Sequence, residues 1–402
     1  MKRKKIVLVY DMLKELGGLE RMMFMYANCL HRQGYEVELV FGYVDEKESK
    51  RITEELELDK SIKIRQLGNS KDYKIQLASF LLNSRGLNCD TYPPADLVIS
   101  FGFMSSKNAY HERLLKGTPY IVVLCHPPNF LYPSPGNWVN NPIRLAAKML
   151  GVFVGGILRK KDKLYMRNAE KIIVISRYTY KRITEIYNLF KSKIIYPAIS
   201  DSFRLMSEKE MDDFKKKKVI KYPVSRQYIL AHGRIIPDKN YHSIISMLNS
   251  LDCDLIITGS IDEKYRRFLE KVIERNNLGG RVHILGRVSQ EDLVGYYNCA
   301  SVFVNPAFKE DFGLTPVEAM ACGCPVVAWD DGAGPSETII DRETGILVDC
   351  PDGLKEQGLN KLFESGIYQA LNHKWDREAI HNSIKRFSKK EIDEQIIKEV
   401  KI

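Results

Sequence analysis

An α/β protein of two parallel-sheet domains is what the sequence predicts, and three observations predict it. Short β-branched apolar runs such as Ile6-Val7-Leu8-Val9 and Tyr120-Ile121-Val122-Val123-Leu124 recur along the chain, as strands buried on both faces do. Between them lie segments with apolar residues at helical spacing, such as Met22, Met25, Tyr26, Cys29 and Leu30. The length, 402 residues, exceeds what one hydrophobic core usually holds.

In chain order, the basic start Met1-Lys2-Arg3-Lys4-Lys5 leads into an apolar run of only Ile6 to Tyr10 before Asp11. That is a first strand, too short for a signal core. Gly17 and Gly18 open the helix that ends near Gly34, and Val37-Glu38-Leu39-Val40-Phe41 is the next strand. This is a βαβ unit without the dinucleotide Gly-x-Gly-x-x-Gly fingerprint. Further strands are expected over residues 96–100, 120–124 and 171–176. His126 stands just past the second of these, where open α/β sheets place ligands.

Residues 143–163 admit two readings. Ten uncharged, mostly apolar residues lie between Lys148 and Arg159, followed by Lys160, Lys161 and Lys163. A short apolar helix with basic flanks can lie in a lipid headgroup region, or it can be a core helix with a solvated basic end. No stretch reaches the ~18 apolar residues of a spanning helix, so the expected location is cytoplasmic, peripheral on the cytosolic face of a membrane if the first reading holds.

The second domain opens with the strand Tyr228-Ile229-Leu230-Ala231 and runs into Gly233, Arg234 and Lys239. A rigid guanidinium fork and a point charge at a strand end can neutralise a pyrophosphate leaving group. Asp252-Cys253-Asp254 leads straight into a strand, reads as its entry loop, and implies no metal. The apolar run 300–304 then precedes Glu310-Asp311-Phe312-Gly313. After Gly313 the chemistry switches to a helix start, with Thr315 as cap, Pro316 at the first helical position and Glu318 three residues past the cap. Gly323 and Pro325 end the helix, and residues 326–329 resume a strand. Two carboxylates thus bracket a helix N-terminus, whose N–H groups and dipole suit phosphate. Taken alone, Glu318 is also a capping-box residue and Glu310 a solvated loop charge.

Glu310-x7-Glu318 followed by Ala319-Met320-Ala321, Gly323 and Pro325-Val326-Val327 resembles the signature of glycosyltransferase family 4, retaining enzymes of the GT-B fold. The resemblance implies two Rossmann-like domains with parallel sheets facing an interdomain cleft. Residues 1–200 would form the acceptor domain, 201–372 the nucleotide-sugar donor domain, and 373–402 a helical tail crossing back to the first. It implies hexose transfer from a nucleotide sugar to an acceptor hydroxyl, with no cofactor and no required metal. Arg234 and Lys239 then hold the donor diphosphate, Glu310 orients the sugar and Glu318 holds the ribose hydroxyls. Gly233, Phe312, Gly313, Leu314 and Thr315 complete the donor site, while Gly17 and Gly18 bring backbone N–H groups to the donor diphosphate or the acceptor. Cys125-His126-Pro127-Pro128 is similar to a stretch in a mannosyltransferase-rich subset, in which this His faces the donor sugar. His126 therefore joins the catalytic set, and GDP-mannose is the first donor, with UDP-glucose, UDP-galactose and UDP-GlcNAc open. A lipid-linked or glycan acceptor fits the basic segment. At Ala333 the chain departs from the commoner Gly-Gly version of Gly332-Ala333-Gly334.

Composition narrows the alternatives. The formal charge of +10 favours an anionic partner such as nucleotide phosphates, anionic lipid headgroups or nucleic acid. Lys215 to Lys218 read as a solvated face, because no aromatic or helical reading motif for nucleic acid accompanies them. The eight cysteines are scattered without a CxxC pair and read as buried thiols of a reducing compartment. Asp311-Phe312-Gly313 mimics a kinase motif, but the sequence has no His-Arg-Asp loop before it and no Gly-rich ATP loop. A nucleotide-sugar epimerase and a non-catalytic basic binding protein are the competing classes. Release of a nucleoside diphosphate separates a transferase from a binder.

Overall fold

The computed structural model describes residues 3–67, 92–128, 131–132, 142–189, 192–219 and 227–401, with the helix path alone over 142–154 and 218–219. The chain divides into two compact units, one of residues 1–198 with 390–402 and the other of 199–389.

The first unit holds a seven-stranded parallel sheet. Its strands are β1 (Lys5–Leu13), β2 (Glu36–Val44), β3 (Lys63–Gln66), β4 (Leu97–Phe101), β5 (Tyr120–Leu124), β6 (Lys171–Val174) and β7 (Ser192–Ile194), in the order β3-β2-β1-β4-β5-β6-β7. Every residue of β4 and β5 is buried, the pattern a central strand needs when helices cover both faces. Each such Val or Ile contributes roughly 1.5–3 kcal/mol of burial. β3, together with the helix Glu46–Glu55 before it, comes from a polar stretch where apolar runs gave no strand signal.

The second unit is a six-stranded parallel sheet of β8 (Tyr228–His232), β9 (Asp254–Thr258), β10 (Val282–Gly286), β11 (Val302–Asn305), β12 (Val326–Asp330) and β13 (Gly345–Asp349), ordered β10-β9-β8-β11-β12-β13. Two of its helices start at short polar side chains that cap them. Asp262 accepts from the Tyr265 amide and Ser289 from the Asp292 amide.

The C-terminal helix Lys389–Glu399 lies against the first unit. Asp393 pairs with Arg32 at 2.5 Å, Glu399 with Lys171 at 2.6 Å, and Ile392 and Ile396 are fully buried. The crossing begins at 390, whereas residues 373–389 stay with the second unit.

In both sheets the chain lays down strands on one side of the first strand and then returns to its other side. The reversal falls between β1 and β4 in the first unit and between β8 and β11 in the second. Open α/β sheets bind ligands outside the carboxyl ends of their strands at such a reversal.

Candidate active site

At the reversal of the second sheet, the loops after β8 and β11 bring opposite charges together. Gly233 follows β8 with φ +143 and packs so tightly on Gly259 that a Cβ on Gly259 would lie 1.8 Å from the Gly233 carbonyl oxygen. The chain then turns through Pro237–Lys239 into Asn240, a left-handed residue whose side-chain amide donates to the Pro306 carbonyl at 3.4 Å. That carbonyl also accepts from the Trp329 indole, and Phe308 stacks on the Trp329 ring at 5.0 Å. These contacts anchor the loop after β11 beside the loop after β8.

The consequence is an ion pair between Lys239 Nζ and Glu310 Oε1, each side chain about a fifth exposed. Glu310 Oε2 accepts from Asn305 Nδ2 at 2.7 Å. Burial alone pushes the Glu310 carboxyl up, but Lys239, Asn305 and the nearby Arg234 guanidinium more than offset it. They hold the group below the ordinary carboxylate range. Arg234 itself is exposed, and among the described residues it makes no ion pair. Arg234 and Lys239 of one loop thus come together with Glu310, 71 residues beyond Lys239.

Asp331 ties this loop to the next one. Its two carboxylate oxygens accept from the Lys309 amide at 2.5 Å and the Ala333 amide at 3.0 Å, and Lys309 Nζ bonds the Asp331 carbonyl. The Gly334 amide donates to the Glu310 carbonyl at 2.8 Å. A Cβ on Gly334 would lie 2.2 Å from the Phe312 carbonyl oxygen, so glycine is required there. Ala333 has φ −96, ordinary for any residue, and the departure at 333 leaves this backbone arrangement undisturbed.

The helix after Gly313 corrects one expectation. It runs Leu314–Ala321 with Gly313 as its N-cap at φ +82, and no side chain caps it. Thr315 is therefore the second helical residue and Pro316 the third, and Glu318 does not close a capping box. Glycine's access to positive φ lets the chain enter the helix two residues early. Glu318 then lies a full turn in, 7% exposed, and accepts from the buried Tyr297 hydroxyl at 3.1 Å. Burial, with the Glu318 charge, pushes the Tyr297 phenol up, which keeps it a donor. Phe312 is buried edge-on against Phe387, so it offers a ligand its backbone alone. Leu314 and Thr315 are partly exposed at the helix start.

The other expected residues belong to the first unit. His126 is exposed after β5, and its Nδ1 lies 3.0 Å from the Pro127 carbonyl oxygen. A carbonyl can only accept, so Nδ1 carries a proton in this contact. Gly17 caps the helix Gly18–Arg32 with φ −127, so positive φ is not its reason for being glycine. Its amide donates to Glu20 Oε2 at 2.9 Å, and a Cβ on Gly17 would lie 2.8 Å from that oxygen.

Sequence reasoning assigned no role to Asn305, Tyr297, Asp331 or Gly259. A glycine closing an apolar strand and an asparagine at a strand's carboxyl end are signals that could have pointed to two of them. Tyr297 and Asp331 carry no local signal.

Residues 212–382 match the family model described as "Glycosyl transferases group 1". The matched stretch lies within the second unit, and the fold is GT-B, that of the similar solved structures. The chain is 24% identical over 262 residues to the mouse alpha-1,3/1,6-mannosyltransferase ALG2, covering 60% of this chain and 58% of that one. It is 29% identical over 286 residues to the Escherichia coli O-antigen chain mannosyltransferase B, covering 61% and 72%. The chain spans 56–61% of the length of the first curated relatives it matches. Among solved structures it resembles Anabaena HepE in complex with UDP and glucose, with TM-score 0.72, 18% identity and 99% of each chain covered.

Proposed function

We propose that this protein is a retaining glycosyltransferase of family 4, moving a hexose from a nucleotide sugar to the hydroxyl of a lipid-linked or growing glycan. The observation that carries the reading is the constellation of Arg234, Lys239 and Glu310 at the strand-order reversal of the second sheet. Arg234 and Lys239 supply the positive charge that a departing diphosphate needs, so the reaction requires no metal. Glu310, held ionised by Lys239 and Asn305, accepts sugar hydroxyls, and Glu318 accepts those of the ribose. The sugar C1–phosphate oxygen bond breaks as the acceptor oxygen bonds C1 on the same face. The acceptor's proton passes to the leaving phosphate oxygen. His126 is assigned to the transferred sugar.

GDP-mannose is the proposed donor, supported by the Cys125-His126-Pro127-Pro128 stretch and the two mannosyltransferase relatives. UDP-glucose is the second reading, on the UDP and glucose complex of HepE. Incubation with GDP-mannose, UDP-glucose, UDP-galactose and UDP-GlcNAc plus membrane lipid extract tests both. GDP released from GDP-mannose alone is expected. UDP release would move the donor assignment, and no nucleotide from any donor would sink the reading.

An anionic membrane surface on the cytosolic side is the proposed location of the acceptor. The helix Pro142–Asn168 exposes Ile157 (64%) beside the exposed Lys160 and Lys161, and the helix Phe103–Lys116 exposes Leu114 and Leu115. An apolar surface flanked by lysines suits headgroups. The side chain of Phe153, in the middle of the segment, lies outside the described residues. Among those residues no helix is long and apolar enough to cross a membrane.

A further inference from the structure

Beside Gly233 lies a hydroxyl with nothing to bond. Tyr241 opens the short helix Tyr241–Met247, two residues past Lys239, and is only 2% exposed. It belongs to the hydrophobic core of the second unit. Among the described residues its hydroxyl is buried without a hydrogen-bond partner. A Cβ on Gly233 would lie 3.1 Å from that oxygen and 3.7 Å from Lys239 Cε. The Tyr241 hydroxyl and the lysine stem therefore flank one spot at the carboxyl end of β8, which Gly233, lacking a Cβ, leaves open.

A core tyrosine is the bland explanation. Yet other buried tyrosines of this unit use their hydroxyls. Tyr228 donates to the Tyr296 carbonyl at 2.7 Å, and Tyr297 donates to Glu318 at 3.1 Å. Phenylalanine would fill the Tyr241 space without the cost of a buried, unsatisfied oxygen. An unpartnered hydroxyl beside a reacting centre points to a partner in another state of that centre.

The charges define the other state. The groups facing Glu310 are Lys239, Asn305 and Arg234, and those facing the Tyr241 phenol are Glu310 and Tyr265. As the donor bond breaks, both cations are drawn to the diphosphate, and Glu310 keeps only the Asn305 amide. A buried carboxylate short of donors takes up a proton, and it then stops accepting sugar hydroxyls. Burial and the Glu310 charge both raise the Tyr241 phenol, so it stays protonated and can donate.

We infer that Tyr241 is a positioning residue of the donor site, its hydroxyl donating to Glu310 when Lys239 turns to the departing diphosphate. The inference rests on the proposed transferase activity and adds the residue that keeps Glu310 ionised during it. The test compares the full chain with its Tyr241→Phe variant in steady-state turnover across a pH series, with thermal melts alongside. The donor is GDP-mannose, or the UDP-sugar that replaces it. Loss of a hydrogen bond to a carboxylate should lower kcat about tenfold, while the donor KM stays within about threefold. The acid limb of the kcat profile should move up by about one pH unit, since charged Glu310 has lost a donor. The melting temperature of the ligand-free variant should hold or rise, because the substitution removes only an unpartnered oxygen. Either a wild-type kcat or an unmoved acid limb in Tyr241→Phe would return Tyr241 to the core and overturn the assignment. A wild type that releases no nucleotide from any donor would overturn the transferase reading itself, and this inference with it.

Discussion

Asp11 and Glu310 both stand beside the point where strand order reverses in their units, Asp11 within β1 just beyond its pairing with β4 and Glu310 in the loop after β11. Their partners differ. Glu310 is met by Lys239, by Asn305 and by the charge of Arg234, and its carboxyl is held below the usual range. Asp11 is met by backbone amides, and burial lifts it to about 7. Both lose water, and the loss alone would raise both. What separates them is full positive charge. A nearby cation outweighs desolvation, whereas two amide dipoles do not. The second unit thus holds a carboxylate paired with a lysine and kept below its ordinary range, and the first holds one that burial raises.

Removing the cation is the severest way to break the comparison. Lys239→Ala should lower turnover by about 10²–10³-fold or more, since it strips a contact that strengthens as the diphosphate leaves. It should also cost on the order of 1–3 kcal/mol of stability, less than a fully buried pair, because Glu310 is left without its partner. Arg234→Ala should match the rate loss with an unchanged melting curve, because Arg234 is exposed. Steady-state rates and thermal melts of the two variants check this, and wild-type rates in both would remove the cations from the mechanism.

Glu318 sharpens the comparison, being a buried carboxylate that accepts from a neutral hydroxyl. With the capping role gone, Glu318→Gln isolates the proposed ribose contact. The amide oxygen still accepts from Tyr297, so the melting temperature should hold. Loss of charge-assisted bonds of about 1.5–3 kcal/mol should weaken donor binding by roughly 10- to 100-fold. Titration calorimetry with the nucleoside diphosphate measures it; unaltered affinity would take Glu318 out of the site.

The smallest effect concerns stability and carries an unusual sign. A carboxyl raised in the folded state keeps its proton there after the unfolded chain has lost it. Its stabilising contribution is complete below the unfolded value of 3.8 and is lost as pH rises through about 7. Asp11→Asn removes the ionisation, so its melting temperature should gain on the wild type between pH 5 and pH 8, by a few degrees. Parallel melting curves across that range would show that Asp11 titrates normally.

Much of the loop after β8 was legible in the sequence, because strands buried on both faces must be apolar and because charged residues at strand ends are rarely accidental. The run Tyr228–His232 and the pair Arg234 and Lys239 could be placed on a strand and its loop from residue type alone. The helix start after Gly313 could not. Thr315, Pro316 and Glu318 satisfy the local grammar of a cap, and a positive φ at Gly313 overrode it, since glycine permits an entry that propensity does not anticipate. β3 was hidden for a different reason: a short edge strand with little buried surface has no apolar run to betray it.

The sequence by itself determined the two parallel sheets, the placing of the charged residues on loops at strand ends and the family resemblance, because these follow from local periodicity and residue chemistry. Only the tertiary structure decided which of those residues meet. Lys239 and Glu310 are 71 residues apart, and Asp11 and Ser105 are 94 apart. No local pattern encodes such pairings. The sheet order encodes them by setting distant strands side by side, and with them which carboxylate is given a cation and which only amides.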